Sequence, residues 1–146
     1  MSIFKWEPLT PEQEQRVLEA IAAAELNTSG EIRVHIDKYC KTDPVFKAMN
    51  LFTHLKMEKT NYRNGVLLYV AKLENKFAIV GDEGINRVVP ADFWESTKEL
   101  MKVSFSKGEI TEGLEQGVNE IGVQLKQYFP YEDGDINELP DTISYG

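Results

Sequence analysis

Scarcity narrows the chemistry of this chain before any motif does. Cys40 is its only cysteine, which excludes an internal disulfide and any CxxC redox or zinc spacing, and a lone thiol with no base beside it fits an ordinary side chain in a reducing compartment. Histidine occurs twice, at His35 and His54, with no Cys/His metal spacing. No apolar run approaches the roughly 20 residues of a membrane-spanning helix, and Met1 to Thr10 lacks the charged-then-apolar pattern of a signal peptide, so the expected location is the cytoplasm, away from membranes. GxGxxG, GxxxxGK followed by Ser or Thr, GxSxG and HExxH are all absent, which leaves nucleotide-binding and serine-hydrolase readings without support.

Positive charge is also short. Sixteen Lys and Arg stand against 24 Asp and Glu, a formal net charge of −8, so the chain repels phosphate backbones and anionic lipid and no nucleic-acid partner is expected. The excess of carboxylates favours hard-oxygen cation sites wherever spacing gathers them. What remains is the balance of one globular domain, with 146 residues, 42% of them apolar, two Trp and seven Phe. The expected organisation is one domain over residues 1–129, monomeric, followed by a loosely attached acidic tail over 130–146, where Asp, Glu, Gly and Pro occur without periodicity.

Thr10-Pro11 with Gln13 is a capping box that opens a helix over 11–26, closed by Asn27-Thr28-Ser29-Gly30. Glu31 to Asp37 alternates in strict period two, predicting a strand with Ile32, Val34 and Ile36 on one face and Glu31, Arg33 and His35 on a wet or functional one. Asp43-Pro44 caps a crossover helix running to about Lys56, with an apolar stripe of Val45, Phe46, Met49, Phe52 and Leu55. Val66 to Ala71 is continuously apolar, as in a strand covered on both faces, and the short turn at 72–75 before Lys76 to Val80 indicates a hairpin. Pro90 marks the start of a third helix carrying Phe93, Trp94, Thr97, Leu100 and Met101. Ile110, Leu114, Val118, Ile121 and Leu125 define a fourth, where Gly113 and Gly117 permit close packing.

That order makes the first two strands parallel and the third antiparallel to the second, which brings three junctions to one end of the sheet: Ser29-Gly30-Glu31, Arg63-Asn64-Gly65 and Gly81-Asp82-Glu83-Gly84. Glu31, Asp82 and Glu83 are there as metal ligands for Mg²⁺ or Ca²⁺, with Asn64, carbonyls and water to complete the shell. Arg63 is a candidate grip on phosphate oxygens. A purely structural reading stands beside this one, with Asp82 and Glu83 as turn residues and Glu31 paired to Arg33 or Arg63. A rival site is offered by Asp37 and Asp43 at the carboxyl end of the first strand, where ligands of α/β sheets usually sit, although Asp43 is also a helix cap. His35 is expected as a hydrogen-bonded core residue and His54 near a helix end. The stretch Asp133, Asp135, Asn137 imitates an EF-hand loop but places Glu138 where Gly is needed and Ser144 where Glu is needed.

The blocks Thr28-Ser29-Gly30-Glu31-Ile32-Arg33-Val34-His35-Ile36, Arg63 to Val70 and Phe77 to Ile85, with the Gly113-Leu114 and Gly117-Val118 pairs, resemble the TPM domain over roughly Thr10 to Phe129. The resemblance implies a three-layer α/β/α sandwich, Rossmann-like, with a small, mixed, mainly parallel sheet flanked by helices. It also implies acid-phosphatase activity with divalent-cation binding. Here Gly81-Asp82-Glu83-Gly84 replaces a more apolar glycine loop. The expected function is therefore a metal-dependent phosphoric-monoester hydrolase acting on a small phosphate ester or a phosphoprotein, with Asp82 and Glu83 catalytic and Arg63 and Asn64 binding substrate. The alternative is a non-enzymatic Ca²⁺- or Mg²⁺-binding adaptor that docks a protein partner.

Overall fold

A computed structural model of the chain describes residues 8–132 and 141–146. Helix α1 spans Pro11–Glu25 and begins with a reciprocal capping box, Gln13 N–H donating to Thr10 Oγ1 (3.2 Å) and Thr10 N–H to Gln13 Oε1 (2.9 Å). Strand β1 (Glu31–Asp37) leads to α2 (Pro44–His54), whose first amides at Val45 and Phe46 donate to Asp43 Oδ1. Strand β2 (Gly65–Ala71) lies parallel to β1 with Glu31 opposite Gly65. A single 3₁₀ turn over Lys72–Glu74 and a left-handed Asn75 (φ 54°) reverse the chain into β3 (Lys76–Gly81), antiparallel to β2. Then come α3 (Glu83–Asn86), α4 (Glu95–Ser106), α5 (Ile110–Lys126) and β4 (Ile143–Tyr145).

The four strands form one mixed sheet in the order β3-β2-β1-β4, with β4 parallel to β1. Ile32, Val34, Val66 and Leu68 point to one face, where they meet Ile21 of α1, Met101 of α4 and Leu114, Val118 and Ile121 of α5. Leu67, Tyr69 and Ala71 point to the other, against Ala48 and Phe52 of α2 and Met57. This is the three-layer α/β/α sandwich expected, and β2 is buried along all seven residues. A Cβ on Gly113 would overlap the Phe105 ring and one on Gly117 would come within 2.6 Å of Met101 Sδ, so these glycines are what lets α4 and α5 close on each other.

Five features differ from the sequence reading. The third helix starts at Glu95, not Pro90: residues 91–94 are turns bonded Phe93 N–H to Pro90 O and Glu95 N–H to Asp92 O, because proline opens a turn as readily as a helix. Gly81 to Gly84 is not a plain loop, since Asp82 caps the short helix α3. On α2 the buried positions are Ala48 and Phe52, while Val45, Phe46 and Met49 are about half exposed, and on α4 Leu100 is exposed as well. The supposed wet face of β1 is wet only at Arg33, for Glu31, His35 and Asp37 are buried. In the stretch expected as a loose tail, 133–140 lie outside the described residues, and with them the EF-hand-like Asp133, Asp135 and Asn137. Residues 143–145, in contrast, pair with β1 and place Ile143 in the core. Three residues are too few for a period to register in sequence.

Candidate functional site

The register brings the three polar junctions together. Asp82 N–H donates to Gly65 O (2.9 Å), Glu31 N–H to Asn64 O (3.4 Å), and Val66 faces Gly81 across the hairpin. Arg63 takes a left-handed backbone (φ 52°), and its carbonyl accepts from Gly84 N–H at 2.9 Å. A Cβ on residue 84 would overlap the carbonyl oxygens of Tyr62 and Arg63, so only glycine allows this crossing.

Above it, Arg63 grips Asp82 at two points, Nε to Oδ2 (2.7 Å) and Nη2 to Oδ1 (2.9 Å). Asp82 Oδ1 also accepts Glu83 N–H (2.8 Å), and Asp82 is buried. Glu83 Oε1 accepts from Arg63 Nη1 (3.2 Å) and Arg87 Nη2 (3.0 Å). The Asp82 hydrogen bonds push the Arg63 guanidinium further up, so it stays charged. Asn64 is wholly buried; its N–H donates to Thr60 Oγ1 and its Nδ2 to Ser29 Oγ, leaving Oδ1 buried without a donor. Beside this lattice, between α2 and the β3–α3 junction, lies an open cleft of about 350 Å³ whose lining includes apolar Met49, Phe52 and Val80 and charged Glu58, Arg63, Asp82 and Glu83.

The structure thus gathers Arg63, Asp82 and Glu83 in direct contact, with Asn64 and buried Glu31 at the adjoining strand starts. Among the described residues, no three or more His, Cys, Asp or Glu side chains stand together as a metal-holding group. The donors that are present are hard oxygens, and the orphaned Asn64 Oδ1 is an acceptor of the kind a hard cation satisfies. A cation here would share Asp82 with Arg63.

The rival end is used differently. His35 Nε2 lies 2.7 Å from Asp37 Oδ1, Tyr69 Oη donates to Asp37 Oδ2 (2.7 Å), and His35 Nδ1 lies 2.7 Å from Ser144 Oγ of β4. Burial holds the His35 pKa down against the pull of Asp37, so the imidazole is neutral; with Asp37 accepting twice, its proton sits on Nε2 and Nδ1 accepts from Ser144. Gly146 lies across the His35–Asp37 contact, where a Cβ would overlap Asp37 Oδ1. Asp43 is the α2 cap, and exposed His54 lies in the last turn of α2. Sequence reasoning missed Tyr69 and Ser144; the one available signal was a tyrosine inside a fully buried strand, whose hydroxyl demands a partner.

A second missed pair is Glu25, at the end of α1, with Asp141. Glu25 Oε2 accepts Ile32 N–H (2.9 Å), while its Oε1 and Asp141 Oδ1 are both buried without a donor. Burial first, then the contact with Asp141, pushes Glu25 up to about 10, so near neutrality it is protonated and donates to Asp141.

The profile of the TPM domain family matches residues 7–124. The chain is 47% identical to the BA42 protein of the psychrophilic bacterium Bizionia argentinensis, known from an NMR structure; the match covers 96% of this chain and 97% of that one with a TM-score of 0.91. The N-terminal domain of cg2496 from Corynebacterium glutamicum, at 9% identity and a TM-score of 0.65 over 93% of this chain and 80% of that one, shares the fold. No curated protein sequence matches. Among the described residues no helix is long and apolar enough to cross a membrane.

Proposed function

The chain belongs to the TPM domain family, and on that premise we propose that it is a divalent-metal-dependent phosphoric-monoester hydrolase of the acid-phosphatase type, working at the Arg63–Asp82 end of the sheet. The observation that carries this reading is the Arg63–Asp82 clamp: a guanidinium aligned at two points by a buried carboxylate, with its own side chain still 39% exposed at the mouth of a cleft. The outer edge of that guanidinium, now on Glu83, is the surface a phosphoryl group would take.

Charge explains the metal requirement. Glu58, Asp82 and Glu83 outnumber Arg63 among the residues lining the cleft, so a phosphate dianion is repelled until a cation offsets the carboxylates. Asp82, Glu83 and Asn64 Oδ1, with water completing the shell and Glu31 as a nearby charge, would hold Mg²⁺ or Ca²⁺, which when bound supplies a Lewis acid and lowers the pKa of water. Arg63 and Asn64 position the ester, Asp82 fixes the guanidinium plane, and Glu83, half exposed, is placed to take a proton from attacking water.

The test is phosphate release from an aryl phosphate by chelator-stripped protein, with Mg²⁺ or Ca²⁺ restored and Asp82→Ala in parallel. Metal-restored turnover in the parent alone is expected; no turnover under any condition removes the hydrolase reading. In that case the second reading takes over, a cation-binding adaptor, which is favoured by the exposed apolar residues Val45, Phe46 and Met49 of α2, the last of which lines the cleft. It requires metal binding without turnover.

A further inference from the structure

The cleft beside Arg63 has two unlike sets of lining residues. Met49, Phe52 and Val80 are its apolar wall, on which Met49 is 57% exposed. Glu58 and Glu83 are among its charged lining, and the one cation of that lining among the described residues, Arg63, is already held by Asp82 and Glu83. An apolar ring resting there removes chiefly the Met49 thioether surface from water. A second anion brought into the cleft meets carboxylates of its own sign, and the lining cation, Arg63, is already engaged.

We propose that this cleft is a leaving-group subsite, selecting phosphate monoesters whose alcohol is apolar and neutral or cationic, such as aryl phosphates, over those whose alcohol carries a further negative charge. The phosphoryl end and the term leaving group rest on the hydrolase reading; the preference for an apolar, neutral or cationic group follows from the lining of the cleft alone. The volume, about 350 Å³, is small for a ligand pocket and suits one ring rather than a nucleotide.

Unreactive phosphonates on one ring test it without turnover. Titrations of the Mg²⁺-loaded full chain with phenylphosphonate, its 4-aminomethyl and 4-carboxy derivatives and methylphosphonate are followed by amide NMR shifts. The neutral and cationic rings are expected to bind roughly tenfold tighter than the carboxylated ring or methylphosphonate, shifting Met49, Phe52 and Val80. Met49→Glu, at an exposed position, should weaken phenylphosphonate roughly tenfold, and Glu58→Gln should narrow the gap to the carboxylated ring. Equal affinities across the series, or an unchanged affinity in Met49→Glu, would overturn the subsite even if the protein hydrolyses esters. Selective binding without hydrolysis would leave the subsite standing and remove the hydrolase reading alone.

Discussion

At the carboxyl ends of β1 and β2, His35, Asp37, Tyr69 and Ser144 direct their strong hydrogen bonds at one another and are closed off by Gly146. At the amino ends of the same strands, Arg63 remains part exposed, Glu83 is half exposed, Asn64 Oδ1 has no donor and a cleft opens alongside. Both ends hold carboxylates at strand termini, and the usual rule for α/β sheets favours the first. What separates them is saturation. A polar network whose donors and acceptors all find each other within the fold has nothing left for a ligand and serves architecture. One that keeps charge at a cleft, with a buried acceptor unmet, is open to one.

The largest effect that would sharpen this contrast is on turnover. Asp82→Ala removes the alignment of Arg63 and a proposed metal ligand together, and should lower metal-dependent phosphate release by roughly 10²–10³-fold. Asp37→Asn should leave turnover per folded molecule within about twofold. Equal losses in the two variants would erase the distinction between the ends. Stability should show the converse: Asp37→Ala leaves the Tyr69 hydroxyl and the His35 ring N–H buried without their acceptor, costing roughly 2–4 kcal/mol in urea denaturation, and Tyr69→Phe roughly 1–2 kcal/mol. Gly84→Ala forces a methyl group against the Tyr62 and Arg63 carbonyls. We expect a cost of roughly 1–3 kcal/mol with a turnover loss beyond it, because the loop that must shift is the one presenting Arg63.

Much of this arrangement is visible in the amino-acid order. The period-two run at 31–37, the apolar run at 66–71 and the caps at Thr10 and Asp43 follow from local physics, and the meeting of three junctions at one sheet end follows from crossover topology alone. The Arg63–Asp82 clamp does not, because it depends on a left-handed Arg63 and a backbone crossing at Gly84 that no spacing announces; sequence reading names both residues and misses that they hold each other. Helical periodicity marks Val45, Phe46 and Met49 as one face of α2 but says nothing of whether anything covers that face. The partners of His35 stayed hidden because Ser144 arrives from a three-residue strand more than a hundred positions away.

A further effect lies at Glu25, where a buried group is satisfied only by keeping a proton. Its pKa in the folded chain, about 10, lies above its ordinary 4.5, so the folded state holds the proton more tightly than the unfolded state does. The stability this contributes is complete below about pH 4.5 and is lost as pH rises toward 10, opposite in sign to the usual salt-bridged carboxylate. Glu25→Gln keeps a donor toward Asp141 and an acceptor for Ile32 N–H while removing the titration. Melting curves at pH 5 and pH 9 should show the parent losing Tm between the two conditions and the variant losing less. An unchanged difference would mean that Glu25 is ionised against Asp141. The start of β4 would then be held beside β1 by main-chain pairing and Ile143 packing alone, and the end of the sheet that holds the candidate site would carry one more unneutralised charge.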